Sequence, residues 1–525
     1  MKTGFVTAAL AAGLFAAPMT AGRGDEQAPG PPAAANRIDG FIRARLQQLD
    51  LTPAPAASDA VFVRRVYLDV IGTLPTPAEV RAFLTDQSPP KRAVLIDRLL
   101  ERAEFADYWA MKWSDLLRVK SEFPINLWPN AVQAYHRWIR AAVRDNLPYD
   151  RFARALLTGN GSNFRVPPVN FYRAVQSREP AALASAVALT FMGTRAELWP
   201  KDRLAGMAAF FSHVAYKPTL EWKEEIVYFD PDTAGSEEAA VFPDGRPARL
   251  TPDTDPRETF ANWLITPTNP WFTKAIANRV WSWLLGRGLV HEPDDLRPDN
   301  PPSHPELLAY LEQELVAARY DVKHLFRLIL NSATYQQTSR PAGDRPAGES
   351  PPTEHDAAFA QYLIRPLDAE VLIDALCQIT GTSEQYSSAI PEPFTFLPEF
   401  TRAITLADGS ITSPFLTTFG RPARDTGLES ERTHRPTAGE RLHLLNSSHV
   451  QQKVEQSIAL QALGGNADMR QAVTLLYLRV LSRPPTEQDL EIAGTYAQAS
   501  GANRRAAMVD LAWALINTTE FLFRH

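Results

Sequence analysis

The chain has 525 residues, more than one hydrophobic core usually organises, so at least two domains are expected. Hydrophobic residues make up 45% and charged residues 22%, an ordinary soluble composition, and 54 Lys and Arg against 60 Asp and Glu give a net charge of -6, which excludes the electrostatic footprint of a nucleic-acid binder. The single cysteine, Cys377, excludes an intramolecular disulfide, a cysteine zinc site and an iron–sulfur cluster.

Residues 1–22 have the order of an export signal: Lys2, then an apolar run from Phe5 to Ala17, then the small residues Thr20, Ala21 and Gly22. The run is too short to span a bilayer comfortably, and no later uncharged segment reaches spanning length, so an exported protein without a transmembrane segment is expected after signal removal. Residues 23–35 form a Pro/Ala-rich leader expected to be disordered.

Helical periodicity then runs through residues 36–219. Ile38 to Leu49 is amphipathic, and Asp59 is placed to cap a helix carrying Val63, Val66, Tyr67 and Val70. Thr76-Pro77-Ala78-Glu79 is a capping box ahead of Val80, Phe83 and Leu84. Further helices are expected over Ala93–Leu100, Tyr108–Leu117, Ala131–Asp145, Phe152–Leu157 and Pro180–Phe191. Helix spacing is lost over residues 220–254, where extended runs flank the turn Pro243-Asp244-Gly245, which predicts a small β insertion or linker.

Residues 255–525 return to helix. Asp255 and Pro256 open one helix, with Glu258 at the capping-box position, and Trp271 to Leu285 forms a second that Gly286 and Gly288 stop. Ser303 and Glu306 repeat the capping box, and Asp321 opens a helix through Leu325, Leu328 and Ile329. Residues 341–356 predict a flexible loop and Ser383–Asp425 an irregular stretch. Helices follow over Arg365–Thr380, Leu442–Leu463, Met469–Leu481, from Thr486 onward and over Arg505–Phe523. The fold class is mainly α, two helical halves with a small β insertion between them.

Three groups of residues suggest chemistry. Glu440-x-x-His443 puts a carboxylate and an imidazole one helical turn apart, near Arg421, Arg424, Glu431, Arg432 and Asn446. The arginines offer forks for carboxylate or sulfate groups; the alternative is an ion-pair network pinning the irregular segment, with Glu431 and Arg432 in it. Asp294, Asp295 and Asp299 offer oxygens for calcium, against a simpler role in capping and in pairs with Arg297. Eleven tryptophans invite a sugar-stacking reading, yet Trp263, Trp271, Trp281 and Trp283 lie on apolar helical faces that predict core, leaving Trp128 and Trp199, beside prolines in loops, as the surface candidates. Cys377 sits in an apolar helical pattern and is expected to be a buried thiol. No GxSxG elbow, P-loop, dinucleotide fingerprint or HExxH is present, and no catalytic residue can be assigned.

The ordered motifs RRVYLDVIGTLPTPAEV, PYDRFARALLTGNG, DPRETFANWLI, NPWFTKAIANRVW, GRGLV, DDLRPDNPPSHPELL, TFGRPARDT, LHLLNSSHV, LSRPPTEQDL and WALINTTEFLFRH resemble a family of exported planctomycete proteins. That family joins two domains of unknown function, numbered 1549 and 1553, often behind a cytochrome c-like domain. The resemblance covers most of residues 36–525 and implies that 36–219 is the first domain and 255–525 the second. Two family features are missing. The segment FMGTRAELWPKDRLAGMAAFF lacks the CxxCH haem-attachment pattern, and Gly427 to Arg432 keeps only the Glu-Arg of a Cys-x-Cys-Glu-Arg segment. No cofactor is therefore expected. The function expected is that of an exported, non-haem binding or scaffold protein recognising a partner protein or an anionic glycan at the cell surface. The alternative is a polysaccharide hydrolase or lyase using carboxylates in a cleft.

Overall fold

A computed structural model describes residues 36–232, 239–251, 254–339, 356–433, 435–466, 468–499 and 504–525. The signal, the leader and the 341–356 loop, apart from residue 356, lie outside them. The described chain is mainly helical with a small sheet, as the periodicity requires. It forms two compact units, neither continuous in sequence: one from the described residues of 1–99, 330–384 and 434–525, the other from those of 100–329 and 385–433.

In the first unit, Asp59–Ile71 is the central helix, buried along almost its whole length. Its cap is Ser58, whose hydroxyl accepts from the Val61 amide, because Asp59 is engaged by Lys91 at 2.6 Å and Arg92 at 2.8 Å. The Thr76–Glu79 capping box forms as the sequence predicts. Asp69, on the buried helix, gathers three hydrogen-bond donors and one further cation. Its carboxylate accepts the hydroxyls of Tyr335 and Tyr362, each at 2.9 Å, and Arg365 at 2.8 Å, with Arg524 at 3.3 Å. Arg65 stacks 3.8 Å over the Tyr362 ring and donates to the carbonyls of Tyr335 and Gln337. Arg64 donates to the carbonyls of Val480 and Phe521, and burial pushes its pKa down to about 10. Buried charges persist only when paired or saturated with hydrogen bonds, so these side chains fix how the separate chain segments meet. Arg365–Pro366 pairs as a short antiparallel strand with Phe523–Arg524, and the helix expected from Arg365 begins at Ala369.

The second unit carries the sheet. Glu225–Phe229 is its central strand, antiparallel to Gly161–Ser162 on one side and Val214–Pro218 on the other. The sheet therefore lies mostly before the predicted insertion: residues 219–224 are the hairpin turn, and within the described residues 239–251 the only pairing is an isolated bridge between Val241 and Pro247. Aromatic side chains dominate the packing. Trp109 lies 4.5 Å from Phe326 and 5.2 Å from Trp283, centroid to centroid, and Trp281 is fully buried. Trp109, Trp113, Trp283 and Phe326 line a cavity of about 50 Å³. That is about a third of a cavity that holds benzene, so it admits no sugar ring.

Candidate functional site

Arg421, Arg424, Glu431 and Arg432 belong to the second unit, and Glu440, His443 and Asn446 to the first. Arg424, fully buried, donates its Nε to Asp115 Oδ1 at 2.9 Å and Nη1 to the Ala407 carbonyl at 2.8 Å. Arg432 donates to the other oxygen of Asp115, from Nη2 at 2.7 Å and Nε at 3.2 Å. One carboxylate thus holds two guanidinium groups. Arg421 donates to the carbonyls of Ile411 and Asp408. Glu431 does not meet Arg432's fork: its oxygens accept the Asp425 amide at 2.9 Å, the Thr426 amide at 3.2 Å and the Thr426 hydroxyl at 2.7 Å. These bonds anchor a segment that has almost no regular structure of its own.

In the first unit, Glu440 interacts with Thr437 at the start of the Ala438–Asn446 helix, and burial raises its pKa. The His443 ring lies edge-on to His449 at 5.7 Å, and burial, followed by His449, lowers its pKa. His449 Nε2 lies 2.8 Å from Glu384 Oε2, which Lys453 Nζ also meets at 3.0 Å. Lys453 lies 3.6 Å from the Cys377 sulfur, and burial pushes the thiol pKa up. Glu384, His449 and Lys453 carry no sequence motif that would single them out. Asn446 is exposed at the helix end.

Asp294 is buried, its Oδ1 taken by Arg279 at 2.7 Å and Oδ2 by the Glu429 amide at 2.6 Å. Asp295 and Asp299 both meet Arg297, at 3.1 and 3.4 Å. Among the described residues no group of three His, Cys, Asp or Glu side chains could hold a metal ion.

The exposed chemistry lies elsewhere. On the second unit, Trp128 stands edge-on to Trp222 at 6.4 Å and to Phe394 at 5.4 Å. Lys223 Nζ lies 5.3 Å from both indole centroids. Three segments bring these rings together. Residues 120–128 fold back on themselves, the amides of Leu127 and Trp128 donating to the carbonyls of Lys120 and Ser121. Residues 219–224 are the tip of the hairpin, and the 388–400 stretch is tied to the first segment where the Ala389 amide donates to Glu122 at 3.2 Å. Trp222 is 68% exposed and Phe123, at the bend of the first segment, 81%; Phe396 and Phe400 are as open. Trp128, with φ of 71°, and Lys223, with φ of 63°, hold left-handed backbone, and the Trp128 indole N–H is enclosed without an acceptor among the described residues. Such costs concentrate where function fixes a side chain against local preference. Of these side chains, sequence reasoning singled out only Trp128; Trp222 and the phenylalanines gave no signal beyond position in irregular segments.

The fold and these sites define a mainly helical protein in which Asp115, Asp294, Arg424 and Arg432 are engaged internally and the second unit exposes a group of aromatic rings around Trp128. The chain pairs the domains of two families: residues 37–197 match PSCyt2, protein of unknown function (DUF1549), and residues 256–497 match PSD1, protein of unknown function (DUF1553). No curated protein and no solved structure matches it.

Proposed function

We propose that this is an exported binding protein that engages an extracellular polysaccharide through the aromatic surface around Trp128, Trp222 and Phe394. The observation that carries this reading is the convergence of three irregular segments on one exposed group of rings, where a monomer gains nothing for its own core. Planar rings stack on the C–H faces of sugars and give contact area with little side-chain entropy to lose. The engagement of Asp115, Asp294 and Glu384 by arginine, lysine or histidine supports binding rather than hydrolysis at those carboxylates, since their oxygens are already taken by internal partners. Among the described residues no helix is long and apolar enough to cross a membrane. The order of residues 1–22 supports export with a mature chain beginning near Arg23, and N-terminal sequencing of exported material checks it. Binding is tested by co-sedimentation of the mature chain with insoluble extracellular polymer. Wild type is expected in the pellet and Trp222→Ala in the supernatant; equal sedimentation of both rejects the aromatic surface.

A further inference from the structure

We infer that the aromatic surface is built for an uncharged pyranose polymer, and not for a sulfated or uronic one. This rests on the binding reading above and assigns its ligand class. The argument is the charge that borders the rings. The three segments carry Glu122, Glu221, Glu224, Glu392 and Glu399 against only Lys120 and Lys223. Lys120 is taken by Asp425 at 2.6 Å. Lys223 is held between the two indoles, where the ring faces already stabilise its charge. Arg165, beside the hairpin turn, lies 3.7 Å from Glu221 and 3.6 Å from Glu224. Glu392 and Glu399 stand exposed on the same stretch as Phe394, Phe396 and Phe400.

A polyanion laid along these rings would bring sulfate or carboxylate groups within a Debye length of those glutamates, with Lys223 the one lysine of the three segments not taken by a carboxylate. The same border suits neutral sugars. Carboxylates accept hydroxyl hydrogens, and the exposed rings cover the apolar faces between those hydroxyls. The border also disfavours an anionic bilayer as the occupant, since surface segments that bind acidic lipid are rich in lysine and arginine.

The test is affinity electrophoresis of the full mature chain through gels containing soluble xylan, mannan or hydroxyethylcellulose, beside gels containing heparin or polygalacturonate, together with flotation on phosphatidylcholine–phosphatidylglycerol vesicles. The variants are Trp222→Ala and Glu392→Gln, both at exposed positions, with near-ultraviolet circular dichroism confirming the fold of each. Retardation by at least one neutral polymer, weakened tenfold or more in Trp222→Ala, with no Trp222-dependent retardation by heparin or polygalacturonate, is the expected result. Trp222-dependent retardation by the anionic polymers alone, strengthened in Glu392→Gln, overturns the ligand class and leaves the polysaccharide-binding reading standing. Trp222-dependent flotation with vesicles, or no retardation in any gel, overturns both.

Discussion

Asp115 sets what its two arginines are worth. With Arg424 on one oxygen and Arg432 on the other, all three buried, removing either arginine leaves the carboxylate half-compensated, and removing Asp115 strands two cations. Arg432→Ala is expected to lose about 3–5 kcal/mol, Asp115→Ala at least as much, and the double variant less than the sum. Urea melts of the three proteins check this; an Arg432→Ala protein with wild-type stability would assign that arginine to a ligand instead. The sequence marked Arg424 and Arg432 as members of a network but could not supply their partner, which lies 309 and 317 residues away with no spacing rule to connect them. Titration adds a second residue-scale expectation. Burial, followed by Arg424, Arg140 and Arg137, pushes His136 down to about 3, and burial takes His525 down to about 4. Unfolded histidine takes up a proton near pH 6.5. Between that value and the folded pKa the unfolded chain binds more protons, so the stability these residues contribute is complete above about pH 6.5 and is lost as the pH falls. Melting temperature should drop from pH 7 to pH 4.5, before most carboxylates titrate, and His136→Gln should flatten that slope.

Among the elements, the helix read as running from Pro180 to Phe191 becomes a π-helix over Ala188–Met192 and closes on Gly193 at φ of 59°. The widened turn is where Arg279, fully buried, finds the carbonyls of Leu189 and Thr190 before reaching Asp294. Gly193 is required there twice over. Its backbone is left-handed, and a Cβ would sit 3.1 Å from both the Pro293 carbonyl oxygen and the Leu296 side chain. Gly193→Ala should therefore destabilise by more than about 1 kcal/mol, as alanine at positive φ does, measured by thermal melt against an Ala substitution at exposed, unhindered Gly40. Local chemistry was legible where a cap had no competitor. Thr76 with Glu79 caps as its spacing predicts, and Thr486, where the sequence opens a helix, bonds reciprocally with Asp489. It failed where another partner took the cap: Asp59 turns to the distant Lys91 and Arg92, and Ser303 faces the ring of its neighbour His304 while the Pro305–Ala317 helix starts without a side-chain cap. The exposed aromatic surface was least legible of all, because Trp222 and Phe394 come from separate irregular segments whose approach to Trp128 no periodicity encodes.

At the scale of the whole molecule, the two family ranges and the two compact units divide the chain differently. Residues 37–197 contribute their first part to one unit and the remainder to the other. The Asp59–Ile71 helix shows what this demands. Arg64, Arg65 and Asp69 are buried on it, and their partners are Val480 and Phe521, Tyr335 and Gln337, and Tyr362, Arg365 and Arg524. None of those partners lies within residues 36–219. Expressed alone, that fragment would leave two guanidinium groups and a carboxylate without the bonds that make their burial tolerable. Residues 36–219 alone are therefore expected to give no cooperative thermal transition and weak near-ultraviolet dichroism. The fragment 255–525 should behave likewise, since it lacks both the Asp59–Ile71 helix and Asp115. Co-expression of the two fragments with the intervening residues attached to either one should restore a cooperative melt. A sharp, reversible transition in isolated 36–219 would show instead that the first family range is an autonomous folding unit, and that the buried charges on its central helix find other partners when alone.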